Sequence, residues 1–267
     1  MTNIMKQSVT LCLYLLFSFL AVELNATENL AYPEAARTHA GTTGAFLLPE
    51  IAPVTETAEP GHSRNTMVIE LVSESGRQHD TKLLLEVCKK YGLSASNIYQ
   101  WHNHAVIYGP VKNPYAIRKD LLARFKHDYV KIYHAPFYEF KRSKHCAGAT
   151  TEKEWDNIIL TASLVQDSTL QKEYLDYHAT QFEEWPEVAR GFCNASFQQL
   201  QLFKYGRQLM LIISIPKGAS LEELDPKTAE NNPRVDDWNN LMKKYQEGIP
   251  DAAPGETWVF LKPLSGR

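Results

Sequence analysis

An α+β fold made of two tandem β-α-β-β-α-β units is what this 267-residue chain predicts. Two observations carry that reading. Hydrophobic patterning alternates between a period of two and one of about 3.6 in the order strand, helix, strand, strand, helix, strand. After a polar connector the same order begins again.

The first unit opens with Thr66 to Val72 (TMVIELV), alternating and β-branched, so a strand. Asp80 to Tyr91 follows as a helix, with Leu83, Leu84, Val87 and Cys88 at helical spacing, basic residues near its end and Gly92 as its stop. Asn97 to His102 and Ala105 to Tyr108 read as two short strands around a turn. Pro114 to Tyr129 starts on a proline and places Ile117, Leu121, Leu122 and Phe125 on one face, a second helix. Val130 to Phe140 closes the unit as one strand.

In the second unit Asn157 to Val165 is the opening strand. Ser168 to Phe192 is a helix capped by Asp167 or Ser168 and bent near Pro186. Phe197 to Lys204 and Gln208 to Ile215 form a hairpin that turns at Tyr205-Gly206-Arg207. Lys217 to Asn232 is an excursion without a clear period, Pro233 to Gln246 a helix, and Thr257 to Lys262 the last strand.

Helices cover only one face of such a sheet, and its other face must also be buried. Two units facing sheet to sheet meet that need as an α+β barrel of the dimeric type, either in a homodimer or as a pseudo-dimer within one chain. On the second unit's hairpin, Leu200 and Leu202 alternate with Gln199, Gln201 and Phe203. The leucines are expected under the helices and the glutamines in a partly polar cavity.

Residues 64–145 are thus read as a degenerate ferredoxin-like domain and residues 155–267 as the functional one. Ahead of them, residues 27–63 are rich in Ala, Thr, Glu, Pro and Gly and read as a flexible linker. Residues 1–26 carry a basic residue and then an apolar run from Thr10 to Val22, which resembles a secretory signal peptide. The expected location is therefore periplasmic or extracellular, with an uncleaved N-terminal anchor as the alternative. Beyond the leader stand Cys88, Cys146 and Cys193, which allow at most one bridge and leave the pair open.

The net charge of −3 and the lack of a basic block argue against a nucleic-acid partner. No Gly-rich phosphate loop, nucleophile elbow or Cys-x-x-Cys is present, so no cofactor is expected. Trp101-His102-Asn103-His104 lacks an accompanying carboxylate or cysteine cluster, so no metal is expected either.

The chemistry concentrates on the second unit's first helix. Tyr174 and His178 stand four residues apart, and Trp185 follows seven later, so the three project to one side. An imidazole can exchange a proton near neutral pH, which suits general acid–base catalysis, although a lone helical histidine also serves as a plain surface or capping group. Trp185 and Trp238 come from different helices and could clamp a pyranose ring, or act as core anchors.

In this order, several motifs between Ile158 and Leu264 resemble the L-rhamnose mutarotase family. They are Tyr174-x-x-x-His178, Trp185-Pro186-Glu187, the hairpin ending in Arg207-Gln208-Leu209, the Trp238-x-x-Leu-Met242-x-x-Tyr-Gln246 helix and the closing Pro254-Gly-Glu-Thr-Trp-Val-Phe260 strand. The resemblance implies a cofactor-free exchange of the α and β anomers of L-rhamnose or a similar 6-deoxy sugar, on a dimeric α+β barrel. It implies His178 as proton donor and Tyr174 as a sugar contact, with Tyr174 or a water it orders as the base. Trp185, Gln199, Trp238 and Met242 are the further expected substrate contacts. The gap from His178 to Trp185 exceeds that of compact members by a helical turn. Gln199-Leu200 stands where an aromatic contact is expected, and Leu241-Met242 where a tryptophan pair is expected. A non-catalytic sugar-binding module on the same barrel is the alternative function, and a small monooxygenase a third.

Overall fold

The computed structural model describes residues 66–265, and the leader (1–26) and the linker (27–63) lie outside them. The first unit contains β1 (Thr66–Val72), α1 (Thr81–Lys89), β2 (Ile98–Trp101), β3 (His104–Pro110), α2 (Pro114–Arg124) and β4 (Tyr129–Tyr133). A crossover follows, made of β5 (Tyr138–Lys141) and α3 (Arg142–His145). The second unit contains β6 (Trp155–Leu164), α4 (Ser168–Glu184), α5 (Pro186–Asn194), β7 (Gln199–Tyr205) and β8 (Gln208–Pro216). It continues through α6 (Leu221–Leu224), α7 (Pro226–Ala229), α8 (Pro233–Met242), β9 (Gln246–Glu247) and β10 (Val259–Pro263).

Local signals explain most of these boundaries. The Asp80 carboxylate accepts hydrogen bonds from the amides of Lys82 and Leu83 and starts α1, and Gly92 ends its turn at φ +73°. Asp167, not Ser168, caps α4 by accepting from the amides of Thr169 and Leu170. Pro186 cannot supply an amide to the preceding turn, so the long helix breaks into α4 and α5 at Trp185.

The strands run in the order β4-β1-β3-β2-β10-β6-β8-β7-β5, with β9 attached to β6. Each half has the same internal order, and the two join where β2 pairs antiparallel with β10, Gln100 against Lys262 and Tyr99 against Pro263. This is the α+β architecture expected, built within one chain as a curled antiparallel sheet whose edge strands are β4 and β5.

Three cores follow from that arrangement. Leu84, Val87, Cys88, Ile117 and Leu121 fill the space between the first unit's helices and its sheet. A larger cluster around Tyr174, Leu200, Leu202, Trp238 and Trp258 does so in the second unit. Between the two halves, Val68, Tyr108 and Tyr133 meet Ile159, Phe203 and Met210. The inner faces thus bury one another, as the one-sided helix cover requires.

Polar groups sit in this interior as well. The Glu70 carboxylate accepts from His104 Nδ1 at 2.6 Å, Lys131 Nζ at 3.0 Å, Tyr133 Oη at 2.9 Å and Gln208 Nε2 at 2.9 Å, which ties β8 of the second half to the first. Burial would raise this carboxyl, but the His104 hydrogen bond and the charge of Lys131 hold it down at about 2.

Three expected element bounds are corrected. The segment from Val130 to Phe140 is two strands, not one. The chain leaves the edge of the first half after Tyr133 and re-enters as β5 at the edge of the second, pairing with β7. The second helix also ends at Arg124, short of Tyr129, and the helix from Pro233 ends at Met242, which leaves Gln246 in β9. The bridge left open is Cys146–Cys193, which fastens the crossover to α5.

Candidate active site

Between the sheet of the second half and its helices lies a cavity of about 130 Å³. Leu200, Leu202, Leu211 and Ile213 form its floor on the sheet, and α4 supplies Tyr174 and His178. Trp238 and Met242 come from α8, and Asp225 and Thr228 from the α6–α7 excursion.

His178 is buried and ringed by aromatic groups: Tyr174 at 4.3 Å, Trp238 at 5.2 Å, Tyr138 at 5.3 Å and Phe137 at 5.7 Å between ring centroids. Its Nδ1 lies 2.8 Å from the main-chain oxygen of Tyr174. A carbonyl only accepts, so Nδ1 carries the proton and Nε2 is the acceptor in the neutral ring. Burial pushes the imidazole down to about 4, against a smaller opposing effect of that hydrogen bond. His178 is therefore neutral near pH 7 and begins as a base.

Tyr174 is oriented by a chain of hydrogen bonds. Trp258 Nε1 donates to Gln246 Oε1 at 3.1 Å, which turns the Gln246 amide nitrogen toward Tyr174 Oη, also at 3.1 Å. The phenol oxygen thus accepts from Gln246 and keeps its own O–H to donate. Burial raises the phenol's pKa above its ordinary range, so Tyr174 holds its proton. That favours a hydrogen-bond donor over the base considered from sequence.

The structure brings Tyr174, His178, Trp238 and Met242 together around the cavity. It leaves out Trp185 and Gln199. Trp185 terminates α4, packs against Trp238 at 5.5 Å between centroids and carries the Arg234 guanidinium 3.9 Å over its ring, so it buttresses Trp238 from behind. The two rings pack edge to face against each other, which favours the core-anchor reading of the pair over the clamp.

Gln199 Nε2 instead donates to Glu139 Oε1, as does Gln201 Nε2, each at 2.8 Å. The leucines of β7 do lie under the helices as expected, but the cavity is on their face. The glutamines point the other way, where Gln201 also accepts from Tyr108 Oη at 3.0 Å.

Three contributors escaped the sequence reading. Tyr138 enters from β5 and donates to Gln181 Oε1 at 2.9 Å, but its approach depends on the crossover between the halves. Asp225 lay in a segment without periodicity. Gln246 was visible as part of a motif, yet its role depends on Trp258 from another segment.

The first half has the same topology but no Tyr-x-x-x-His pair. Leu84, Val87 and Cys88 of α1 are buried there against the sheet, with Ile117 and Leu121 of α2.

Comparison with known proteins bears on this half of the chain. The model of the L-rhamnose mutarotase family matches residues 158–264. An L-fucose mutarotase of Xanthomonas campestris pv. campestris is 32% identical over 99 residues, spanning 36% of this chain and 74% of that protein. A Dictyostelium discoideum protein is 30% identical over 103 residues, spanning 36% and 76%. Among solved structures, a Lactobacillus acidophilus protein described as a monooxygenase superposes with a TM-score of 0.39 at 7% identity, over 73% of this chain and 91% of that one. The matched segment contains Tyr174, His178, Trp238, Gln246 and the cavity's sheet floor, and the chain belongs to the L-rhamnose mutarotase family.

Proposed function

We propose that this protein interconverts the α and β anomers of L-rhamnose or a similar 6-deoxy sugar without a cofactor. The observation that carries this reading is a neutral imidazole with one open nitrogen, beside a phenol free to donate, in a cavity floored by aliphatic side chains. Mutarotation requires the anomeric hydroxyl to lose its proton while the ring oxygen gains one. His178 Nε2 accepts the first of these protons and returns it when the ring recloses. His178 is thus a proton donor on reclosure, after serving as acceptor on opening.

Tyr174 Oη donates a hydrogen bond to a sugar oxygen, and the edge and face of Trp238 cover the ring's C–H groups. Leu200, Leu202, Leu211 and Ile213 suit an apolar methyl at C6 better than a hydroxymethyl, because a buried hydroxyl there would lack a partner. Residues 64–145 act in this reading as a non-catalytic cover for the second unit's inner sheet face. Export follows from the leader pattern, and the Cys146–Cys193 bridge is in keeping with an oxidising compartment.

Saturation-transfer NMR between the anomers of L-rhamnose and L-fucose tests the activity, with His178→Ala as control. Exchange no faster than buffer alone would sink the enzyme reading, and saturable sugar binding without exchange would favour a binding module in its place.

A further inference from the structure

The reaction requires a group opposite His178 to protonate the ring oxygen. Burial makes the Tyr174 phenol hold its proton, which suits hydrogen bonding better than proton transfer, and the α6–α7 wall of the cavity carries a buried carboxyl, Asp225. Resting on the mutarotase reading above, we propose that Asp225 is the second catalytic residue, the acid that gives its carboxyl proton to the ring oxygen as the C1–O5 bond opens.

Asp225 joins α6 to α7, and its backbone is helical at φ −58° and ψ −42°. An aspartate before a helix commonly caps it, but this side chain makes no capping hydrogen bond. The residue is 6% exposed, lines the cavity, and its Oδ1 has no hydrogen-bond partner among the described residues. A buried polar atom left this way is costly, which is a reason to look for a ligand that satisfies it.

The surrounding structure holds it there. Gly191 on α5 lets α7 approach so closely that a Cβ at that position would fall 2.5 Å from the Thr228 carbonyl oxygen. Asn232 Nδ2 donates to the Glu187 carbonyl at 2.8 Å and ties the end of the excursion to α5.

The protonation states complement each other. Burial alone raises the Asp225 carboxyl to about 7, while it lowers His178 to about 4. Near neutral pH a substantial fraction of molecules therefore holds a protonated acid and a neutral base on the lining of one cavity, the pairing that acid–base catalysis needs. The other titratable groups around the cavity are Tyr138, Tyr174 and Glu222. On the packed helices, Glu187 is engaged with Arg190 and Arg234, and Asp236 and Asp237 are exposed.

The step balances without an outside reactant. His178 Nε2 takes the O1 proton, the O1 electrons form the C1=O1 bond, and the C1–O5 pair passes to O5, which takes the Asp225 proton. Rotation about C1–C2 presents the other face of the aldehyde. O5 then attacks C1, its proton returns to the carboxylate, and the imidazolium returns a proton to O1.

Asp225→Asn tests this, because it keeps shape and hydrogen bonding but cannot transfer the proton. Enzyme-catalysed anomer exchange should fall by about a hundredfold with sugar affinity nearly retained. Wild-type kcat/KM should rise with pH through about 4 as His178 loses its proton, then fall through about 7 as Asp225 does. The fall near 7 should be absent in Asp225→Asn and in a second variant, Asp225→Ser. Exchange within about twofold of wild type with the fall near 7 intact would overturn the assignment and leave the mutarotase reading standing. So would a loss confined to affinity. A wild-type protein that exchanges none of the tested sugars would overturn both.

Discussion

The Nδ1 of His178 is held 2.8 Å from the carbonyl oxygen of Tyr174, one helical turn earlier. One contact inside α4 thereby sets the tautomer of the proposed base and reserves Nε2 for the cavity. The same helix delivers the Tyr174 hydroxyl beside it, and the Gln246–Trp258 chain sets that hydroxyl's direction.

Replacing His178 by Ala should reduce anomer exchange at pH 7 by at least about a hundredfold. The variant should still fold, and it should be less sensitive to acid than wild type. Burial depresses the His178 pKa to about 4, so between its ordinary value near 6.5 and 4 the unfolded chain binds a proton that the folded chain does not. Stability therefore falls as pH drops through that window, and this contribution disappears with the imidazole. Thermal melts of both proteins at pH 7 and pH 5 check it.

Tyr174→Phe should preserve the packing of α4 while losing the hydrogen bonds of the phenol. We expect exchange to slow by about tenfold and stability to change by about 1 kcal/mol. A rate equal to wild type would remove the hydroxyl from the proposed site.

The two tryptophans should separate cleanly. Trp238→Ala removes a cavity wall and should weaken sugar binding by about tenfold. Trp185→Phe keeps an aromatic ring behind Trp238 and should leave the sugar dissociation constant within about twofold. Titration of each variant with L-rhamnose distinguishes them.

Glu70→Ala should be far more damaging than its distance from the cavity suggests. It leaves Lys131, His104, Tyr133 and Gln208 without their common acceptor, a loss on the order of 3–5 kcal/mol for a broken buried ion pair. The folded pKa of about 2 lies below the ordinary 4.5, so this stabilisation is present above 4.5 and is lost as pH falls toward 2. Denaturant midpoints at pH 7 and pH 3 should show wild type losing stability that the variant no longer has to lose.

Reduction of Cys146–Cys193 should lower the melting temperature. With a sequence separation of 47 between the two cysteines, the chain-entropy treatment sets the effect at about 4 kcal/mol or less. The crossover carries Tyr138 to the cavity, so the Cys146→Ser/Cys193→Ser variant should also lose activity. Melting scans with and without dithiothreitol, alongside exchange rates, measure both effects.

Element order, helix starts and the pairing of Tyr174 with His178 were legible in the chain because each depends on residues close together. Asp80 and Asp167 reach amides two and three residues on, and an i, i+4 pair shares a face in any regular helix. The family resemblance followed for the same reason, since its motifs are short and stand in a set order.

Other features required the tertiary structure. Periodicity places Leu200 and Gln199 on opposite faces of β7, but only the packing of α4, α5 and α8 shows which face borders the cavity. Trp185 shares a nominal helical stripe with His178, yet the break before Pro186 turns it behind Trp238. The transfer of β5 to the second half, the choice of Cys193 as the partner of Cys146, and the position of Asp225 against the cavity all join segments far apart in sequence. Local propensity carries no information about such contacts, because they form only when burial of one surface dictates where the next can go.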